Sequence, residues 1–495
     1  MRDFKLTSDD KKFILFFAGL TFIYVLPMLI ANCPYNDDYC RILTGNSWDD
    51  DGRLLPSAII RFLVHSTTIY DPAPLPLILS IPIFTLGGFL IKKSFIDVDS
   101  PYISAVLAFG FIINPFLSRL FVYQLDSLGL AISLVLLIIP FALNIPEKNR
   151  KRISYHAVCA LCIFLSMNSY QASLGFFMAL AVIELVYKAY KKEYQGLLKN
   201  LLSRVLQFGL GFIAYKLFLK LFFIANIARR AAKSKTLEIS SDGLEVFLNN
   251  CQTIVLSIVD SLSQSQIFFL SILIVLSIIF TILTYKNSFK AKTSAADKAA
   301  LALITVSPLI IFSFSFIHIA AIRESFTSSV QVLTSFSGLT AFLLLVPAWA
   351  IKNKKMLCCL LAPVILSAFG FNYIVGNLVK IENDFQQPII SSIVMKINDS
   401  NPDNKTKLYY SGRLPRSEYF NRMTEIFPMM NTLYTNEPWA FKYQLPYYGC
   451  GVKNYRDIVN EPLNEKISLA DSQIIDDSFY YKLYKHNKDL VLIFK

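Results

Sequence analysis

The sequence predicts a mainly α-helical, polytopic membrane protein of about eleven spanning helices, with a small α/β domain at its C-terminal end. Three observations carry that prediction. Of the 495 residues, 54% are hydrophobic and only 17% charged, against about 25% charged in a soluble domain. The charges are bunched between uncharged runs of the ~20 residues that a bilayer crossing needs. Residues 376–495 then lose that pattern and turn polar and aromatic. A soluble cytosolic enzyme is excluded. The net charge of +13 does not indicate a nucleic-acid partner, because the C-terminal stretch is nearly balanced in sign and the excess sits in short loops between apolar runs.

The first apolar run, residues 13–31, follows a basic N-terminus (Arg2, Lys5, Lys11, Lys12) and has no small-residue cleavage pattern before Cys33, so it reads as an anchor, not a signal peptide. Further runs lie near residues 75–91, 101–117, 127–145, 153–168, 171–187, 205–225, 266–285, 299–322, 329–351 and 356–375. Short cytoplasmic loops are rich in lysine and arginine. That rule sets the N-terminus and the loops around Lys92-Lys93, 148–152, 188–204, 286–298 and 352–355 inside.

Residues 54–70 are apolar enough to imitate a span but contain Arg61 and His65. Counting them would invert every later loop and place the basic 148–152 segment outside. They therefore read as an amphipathic helix over 56–66 in the outer interface, with Pro56 in its first turn and Arg61 and His65 four apart on the wet face. The division expected is a transmembrane domain over 1–375, with an outer loop at 32–74, and an outer domain over 376–495. Strand-like pieces appear at 407–410 and 490–495. That domain either recognises a large hydrophilic substrate or shields the outer loops.

Cys159, Cys162, Cys358 and Cys359 fall in spans and read as small apolar side chains. Cys33 and Cys40 bracket the segment CPYNDDYC and either close a short loop in an oxidising compartment or stay free. Cys251 with Cys450 is the remaining outer pairing.

The densest polar constellation is the first outer loop: Asn36, Asp37, Asp38, Tyr39, Cys40 and Arg41, then Trp48, Asp49 to Asp51, Gly52 and Arg53. An ionised aspartate can take a proton from an attacking hydroxyl, adjacent carboxylates titrate as a pair, and arginines hold phosphate through a bidentate fork. The alternative is a solvated acidic loop, which suits Asp49 to Asp51 better than Asp37 and Asp38. Arg119, Tyr123 and Asp126 mark the second outer loop, where Arg119 and Asp126 form either site residues or a surface ion pair. Tyr170 and Gln171 mark the third, as sugar ligands or interfacial anchors. Lys216 and Lys220 stand one turn apart in the outer half of the seventh span, facing a lipid phosphate or snorkelling. Arg323, next to Glu324, closes the ninth span at the same face.

The sequence contains no GxxxxGK[ST], GxGxxG, HExxH or GxSxG motif, and its four histidines are scattered. Polar residues gather at one outer face, which fits an enzyme acting there better than a carrier with a midplane site.

The segments NDDYCRILTGNSWDDDGR after the first span, NPFLSRLFVYQLDS after the third and NSYQAS after the fifth resemble the bacterial serotype-converting O-antigen glucosyltransferases, the Gtr type-specific family, with a GT-C-like membrane fold. The likeness covers mainly residues 1–190. It implies transfer of glucose from undecaprenyl-phosphate glucose to lipid-linked O-antigen repeat units on the periplasmic face of the bacterial inner membrane, with the N-terminus cytoplasmic and the C-terminus periplasmic. It also implies that Asp37 or Asp38 is the base, the other orienting it or binding donor sugar. Arg41 and Arg53 become phosphate or sugar ligands, and Trp48, Tyr123, Asp126 and Gln171 donor-site residues.

A phosphomonoester leaving group has a second pKa near ~6 and departs as a stable dianion, which Arg41, Arg53, Lys216 or Arg323 can stabilise without a cofactor. The five first-loop carboxylates leave a divalent metal open. No covalent nucleophile is evident, so single-displacement inversion is expected. Two other readings stand beside this one: a transporter or flippase of lipid-linked saccharide, and an O-antigen polymerase or ligase joining preassembled glycans.

Overall fold

The computed structural model describes residues 6–143, 149–222, 236–289, 291–322, 330–401, 406–452, 455–460 and 472–495. Among these, nine helices are long and apolar enough to cross a membrane, beginning with Ser8–Ala31, Leu75–Phe95 and Gln124–Ala142 and ending with Gln331–Ala350 and Lys354–Ser400. The two other spans expected from sequence are shorter apolar helices, Pro101–Phe111 and Arg152–Met167. The eleven-residue Pro101–Phe111 covers only ~16 Å at 1.5 Å per residue, about half of a ~30 Å hydrocarbon core. It breaks before Pro115, whose ring pushes the preceding residue out of helical conformation. The Asn114 amide, left inside the bundle, donates to the carbonyls of Leu333 and Thr334 at 3.0 and 3.3 Å. Leu54–Leu63 forms a short helix where one was expected over 56–66, with Arg61 half-exposed and paired to Asp49 at 2.8 Å. It ends before His65, which lies beyond it in the left-handed conformation at φ 49° and not on its wet face.

Helices approach closely where a side chain is missing. A Cβ on Gly88 would overlap the Phe17 ring, and one on Gly376 would overlap Pro27, so Ser8–Ala31 is gripped by both of its neighbours. The two ends of the bundle differ in character. At one end Asp10 pairs with Lys92 at 2.8 Å and Lys93 at 3.2 Å, Asp97 pairs with Lys191, and Arg204 forks onto Glu184 at 2.8 and 3.1 Å. At the other end lie residues 32–53, the 114–126 segment, the 168–173 turn and the C-terminal domain.

The 47-residue helix Lys354–Ser400 runs unbroken out of the bundle. Its last turns, through Ile389, Ile393 and Ile397, pack on Leu408, Leu483 and Leu492 of the terminal sheet. That sheet comprises β1 (Leu408–Ser411), β2 (Ile458–Asn460), β3 (Gln473–Asp477), β4 (Tyr481–His486) and β5 (Asp489–Phe494), in the order β2-β1-β5-β4-β3. β1 is parallel to β2 and β5, while β5-β4-β3 is an antiparallel meander. Both strands expected from the sequence are present, side by side. Met429, Met430 and Leu433 from the same domain instead join the core of the membrane bundle, which fixes the domain onto it.

The structure holds the cysteines as free thiols. Cys33 donates to the Ala31 carbonyl at 2.8 Å, Cys40 faces Thr44 at 3.9 Å, and Cys251 and Cys450 belong to separate cores. Neither expected pairing is formed.

Candidate active site

The first helix ends at Asn32, in the left-handed conformation. The chain then folds back on itself at Tyr35–Asp38: the Asp38 N–H bonds the Tyr35 carbonyl at 2.9 Å and the Tyr35 N–H bonds Asp38 Oδ2 at 3.2 Å. This turn starts the short helix Asp37–Thr44. Asp38 is turned inward and is only 3% exposed. Burial, then the charge of Asp126, pushes its carboxyl well above the usual carboxylate range, against the pull of the Tyr35 N–H and Arg41. Asp37 is half-buried and, among the described residues, has no hydrogen-bond or ion-pair partner. Its charge is felt at Tyr123 and Tyr170.

Beyond the helix the loop is clamped at three points. Trp48 is fully buried and its Nε1–H donates to Asp126 Oδ1 at 2.6 Å, while the Arg41 guanidinium lies 4.2 Å over its ring. Arg53 Nε–H donates to Gln171 Oε1 at 2.7 Å, and its guanidinium lies 4.4 Å over the Tyr170 ring. Gln171 in turn donates to the Asp51 carbonyl and to Tyr215 Oη, both at 2.8 Å. Gly52 closes the third clamp at φ 70°. A Cβ there would sit 2.7 Å from Tyr215 Oη, which itself donates to the Gly52 carbonyl at 3.1 Å.

The result is a compact group of charges. Asp126 lies within electrostatic reach of both Arg41 and Arg53. Neither arginine has an acidic ion-pair partner among the described residues, and the buried Arg41 Nε has no acceptor. Stacking on Trp48 and Tyr170 holds the guanidinium planes while leaving their terminal N–H groups for an anion. Among the described residues no group of three or more His, Cys, Asp or Glu side chains converges as metal ligands.

The structure thus brings Asp37, Asp38, Arg41, Trp48, Arg53, Tyr123, Asp126 and Gln171 together. Lys216 is not among them: it is exposed, its ammonium 5.6 Å from the Phe212 ring, because one residue along a helix turns the side chain by about 100°. Its neighbour Tyr215 faces the site instead. Arg323 lies outside the described residues. Arg119 and Asp126 do not pair; Arg119 reaches the C-terminal domain, bonding the Thr432 carbonyl and Thr435 Oγ1 at 3.2 Å. Tyr35 and Asn36 meet the same Thr435, the Tyr35 hydroxyl donating to its carbonyl at 3.0 Å and Asn36 Nδ2 at 3.1 Å. Sequence reasoning gave Tyr35 and Tyr215 no role; the pairing of Tyr215 with Leu219 four residues on, opposite Lys216 and Lys220, was the available signal.

Fold and site together define a multi-pass helical membrane protein in which a carboxylate without a partner, and guanidiniums without an acidic ion-pair partner, among the described residues face one end of the bundle, the equipment of a group-transfer enzyme. The chain belongs to the glucosyl transferase GtrII family, whose profile it matches over residues 26–345. It is also similar to an uncharacterized 55.3 kDa protein from the gtrB 5' region of Salmonella phage P22, with 30% identity over 249 residues, 50% of each chain. The chain spans about half the length of that curated relative.

Proposed function

We propose that this glycosyltransferase moves glucose from undecaprenyl-phosphate glucose to a lipid-linked O-antigen repeat unit on the periplasmic face of the bacterial inner membrane, inverting the anomeric carbon. The observation that carries this reading is the combination of Asp37, without a partner among the described residues, with Arg41 and Arg53, whose guanidiniums lie over aromatic rings and have no acidic ion-pair partner among those residues.

Asp37 takes the proton from the acceptor hydroxyl as that oxygen attacks the anomeric carbon. The bond from that carbon to the phosphate oxygen breaks, and undecaprenyl phosphate leaves with both electrons. Arg41 and Arg53 hold the charge that accumulates on its phosphate. Asp38, whose carboxyl burial pushes well above the usual carboxylate range, braces the turn that presents Asp37, and Asp126 holds the indole beneath Arg41. No metal is required in this scheme.

An apolar groove supports a polyprenyl donor. It runs between helices Gln264–Phe289, Ser337–Ala350 and Lys354–Ser400, with Leu270, Leu273, Leu343 and Phe371 in its walls. It reaches Pro115, in the turn that leads to Arg119. The basic segments at the opposite end of the bundle support an outward site.

The test is transfer of radiolabelled glucose from undecaprenyl-phosphate glucose to lipid-linked O-antigen, in membranes carrying wild type or Asp37→Asn. Transfer by wild type and its loss in the variant are expected. No transfer by wild type from any polyprenyl-phosphate sugar overturns the reading.

A further inference from the structure

The C-terminal domain does more than rest on the bundle: where it meets the first loop and the protruding part of helix Lys354–Ser400, it encloses a narrow polar cleft. We propose that this cleft binds an uncharged glycan, the acceptor saccharide. The role as acceptor rests on the function proposed above; the binding does not.

Thirteen residues line the cleft, among them six carboxamide side chains and four tyrosines, and no Lys, Arg, Asp or Glu. That composition is selective. Carboxamides both donate and accept, as sugar hydroxyls do, and tyrosine offers a flat apolar face with a polar tip. No charged side chain lines the cleft, although Arg119 and Arg416 bond two lining residues, at Thr435 Oγ1 and the Tyr434 carbonyl. The cleft contains about 340 Å³ of space, counted with the open solvent at its mouth.

The wall from helix Lys354–Ser400 presents Asn383, Gln386, Gln387 and Ile390, spaced to share one helix face. Gln386 is committed to the Pro415 carbonyl at 3.1 Å. Asn383 and Gln387 have no side-chain partner among the described residues. On the domain wall Gln444 is only 8% exposed and its amide likewise has no such partner. Three carboxamides without a side-chain partner among the described residues, Gln387 exposed, Asn383 half-buried and Gln444 buried, converge on one cleft and are the complement of a ligand rich in hydroxyls. The third wall is the first loop itself, through Tyr35, Asn36 and Tyr39. Asn36 immediately precedes Asp37, so a saccharide held here ends beside the loop that carries the proposed base. Thr435, held by Tyr35, Asn36 and Arg119, fixes the domain wall in position.

The test uses the full chain in nanodiscs, with Gln387→Ala, Gln444→Leu and the double variant beside wild type. Saturation-transfer NMR reads binding of a delipidated neutral repeat-unit oligosaccharide, with a uronic-acid oligosaccharide as the charged contrast. Steady-state transfer reads KM for acceptor and donor separately. Wild type is expected to bind the neutral oligosaccharide and not the acidic one. The double variant should lose that binding and raise acceptor KM about tenfold, with kcat and donor KM within about twofold, the pattern of lost uniform binding. Gln387 is exposed on its helix, so Gln387→Ala tests the cleft even where Gln444→Leu fails to fold. Unchanged binding and acceptor KM in folded variants overturn the cleft while transfer itself stands, as does preference for the acidic oligosaccharide. Cleft-dependent binding in a wild type that transfers nothing retains the cleft and overturns the transfer reading alone.

Discussion

Arg53 and Gln171, 118 positions apart in the sequence, are joined by a 2.7 Å bond from Nε to Oε1, and this bond ties the first loop to the turn before the helix Leu174–Tyr190. A charge-assisted hydrogen bond of this kind contributes about 1.5–3 kcal/mol. Gln171→Leu should therefore lower kcat/KM for transfer by about 10- to 100-fold. Arg53→Lys keeps the charge but loses the planar fork and the stacking on Tyr170, so donor KM should rise. Wild-type kinetics in Arg53→Lys would remove Arg53 from the donor site.

Asp37 and Asp38 adjoin in sequence but are expected to separate in function. Asp37→Asn should reduce transfer by about 10²- to 10⁴-fold, the loss of a general base. Asp38→Asn should stay within about tenfold, because burial favours the uncharged form of this carboxyl, and an amide is likewise uncharged. Stability supplies an independent check. The folded pKa of Asp38 is raised above its unfolded value of about 3.9, so its contribution is fully present below that value and is lost as pH rises toward the folded one. Asparagine removes this dependence. The Tm of Asp38→Asn relative to wild type, followed by intrinsic fluorescence in detergent, should climb with pH from about 4 upward. A flat difference would mean that Asp38 is ionised in the fold.

Most of this site was legible because its chemistry is written locally. Asp37 to Arg41 and Trp48 to Arg53 share one loop, and a loop beside a span can only present its charges at the membrane boundary. What remained hidden depends on which way a helix faces. Lys216 attracted notice as a charge within an apolar run, yet it points away, and Tyr215 beside it enters the site. The docking of Thr435 onto Tyr35 and Asn36 joins segments 400 residues apart, a contact that no local pattern announces. The short helix Pro101–Phe111 read as a full span because composition counts apolar residues and does not register the break at Asn114-Pro115.

Trp48 and Asp126 should behave as a coupled pair. Trp48→Phe keeps a ring beneath Arg41 but leaves the Asp126 carboxylate without its donor, while Asp126→Asn weakens the same bond from the other side. A double-mutant cycle on thermal stability should give a coupling of about 0.5–3 kcal/mol. Strict additivity would mean that the 2.6 Å bond contributes nothing beyond packing.

Arg119 is expected to hold the C-terminal domain in place. Its guanidinium spans Thr432 and Thr435, so Arg119→Ala should increase cleavage within residues 429–436 under limited proteolysis while leaving the spans protected. Unaltered cleavage would assign the docking to Met429, Met430 and Leu433 alone.

Transfer should proceed in excess chelator with less than about a twofold change in rate, because Arg41 and Arg53 supply the positive charge that a divalent ion would otherwise bring to the leaving phosphate. Three nearby carboxylates are engaged: Asp49 is paired with Arg61 at 2.8 Å, Asp126 accepts from Trp48, and Asp38 is buried and bonded to the Tyr35 amide; Asp50 is exposed. Magnesium needs only one or two carboxylates together with substrate phosphates and water, so Asp37 is the residue through which an ion would act if one were needed. A rate abolished by chelator and restored by Mg²⁺ would reverse this division of labour: Asp37 would become a ligand to a phosphate-bound ion, and the proton would need another acceptor.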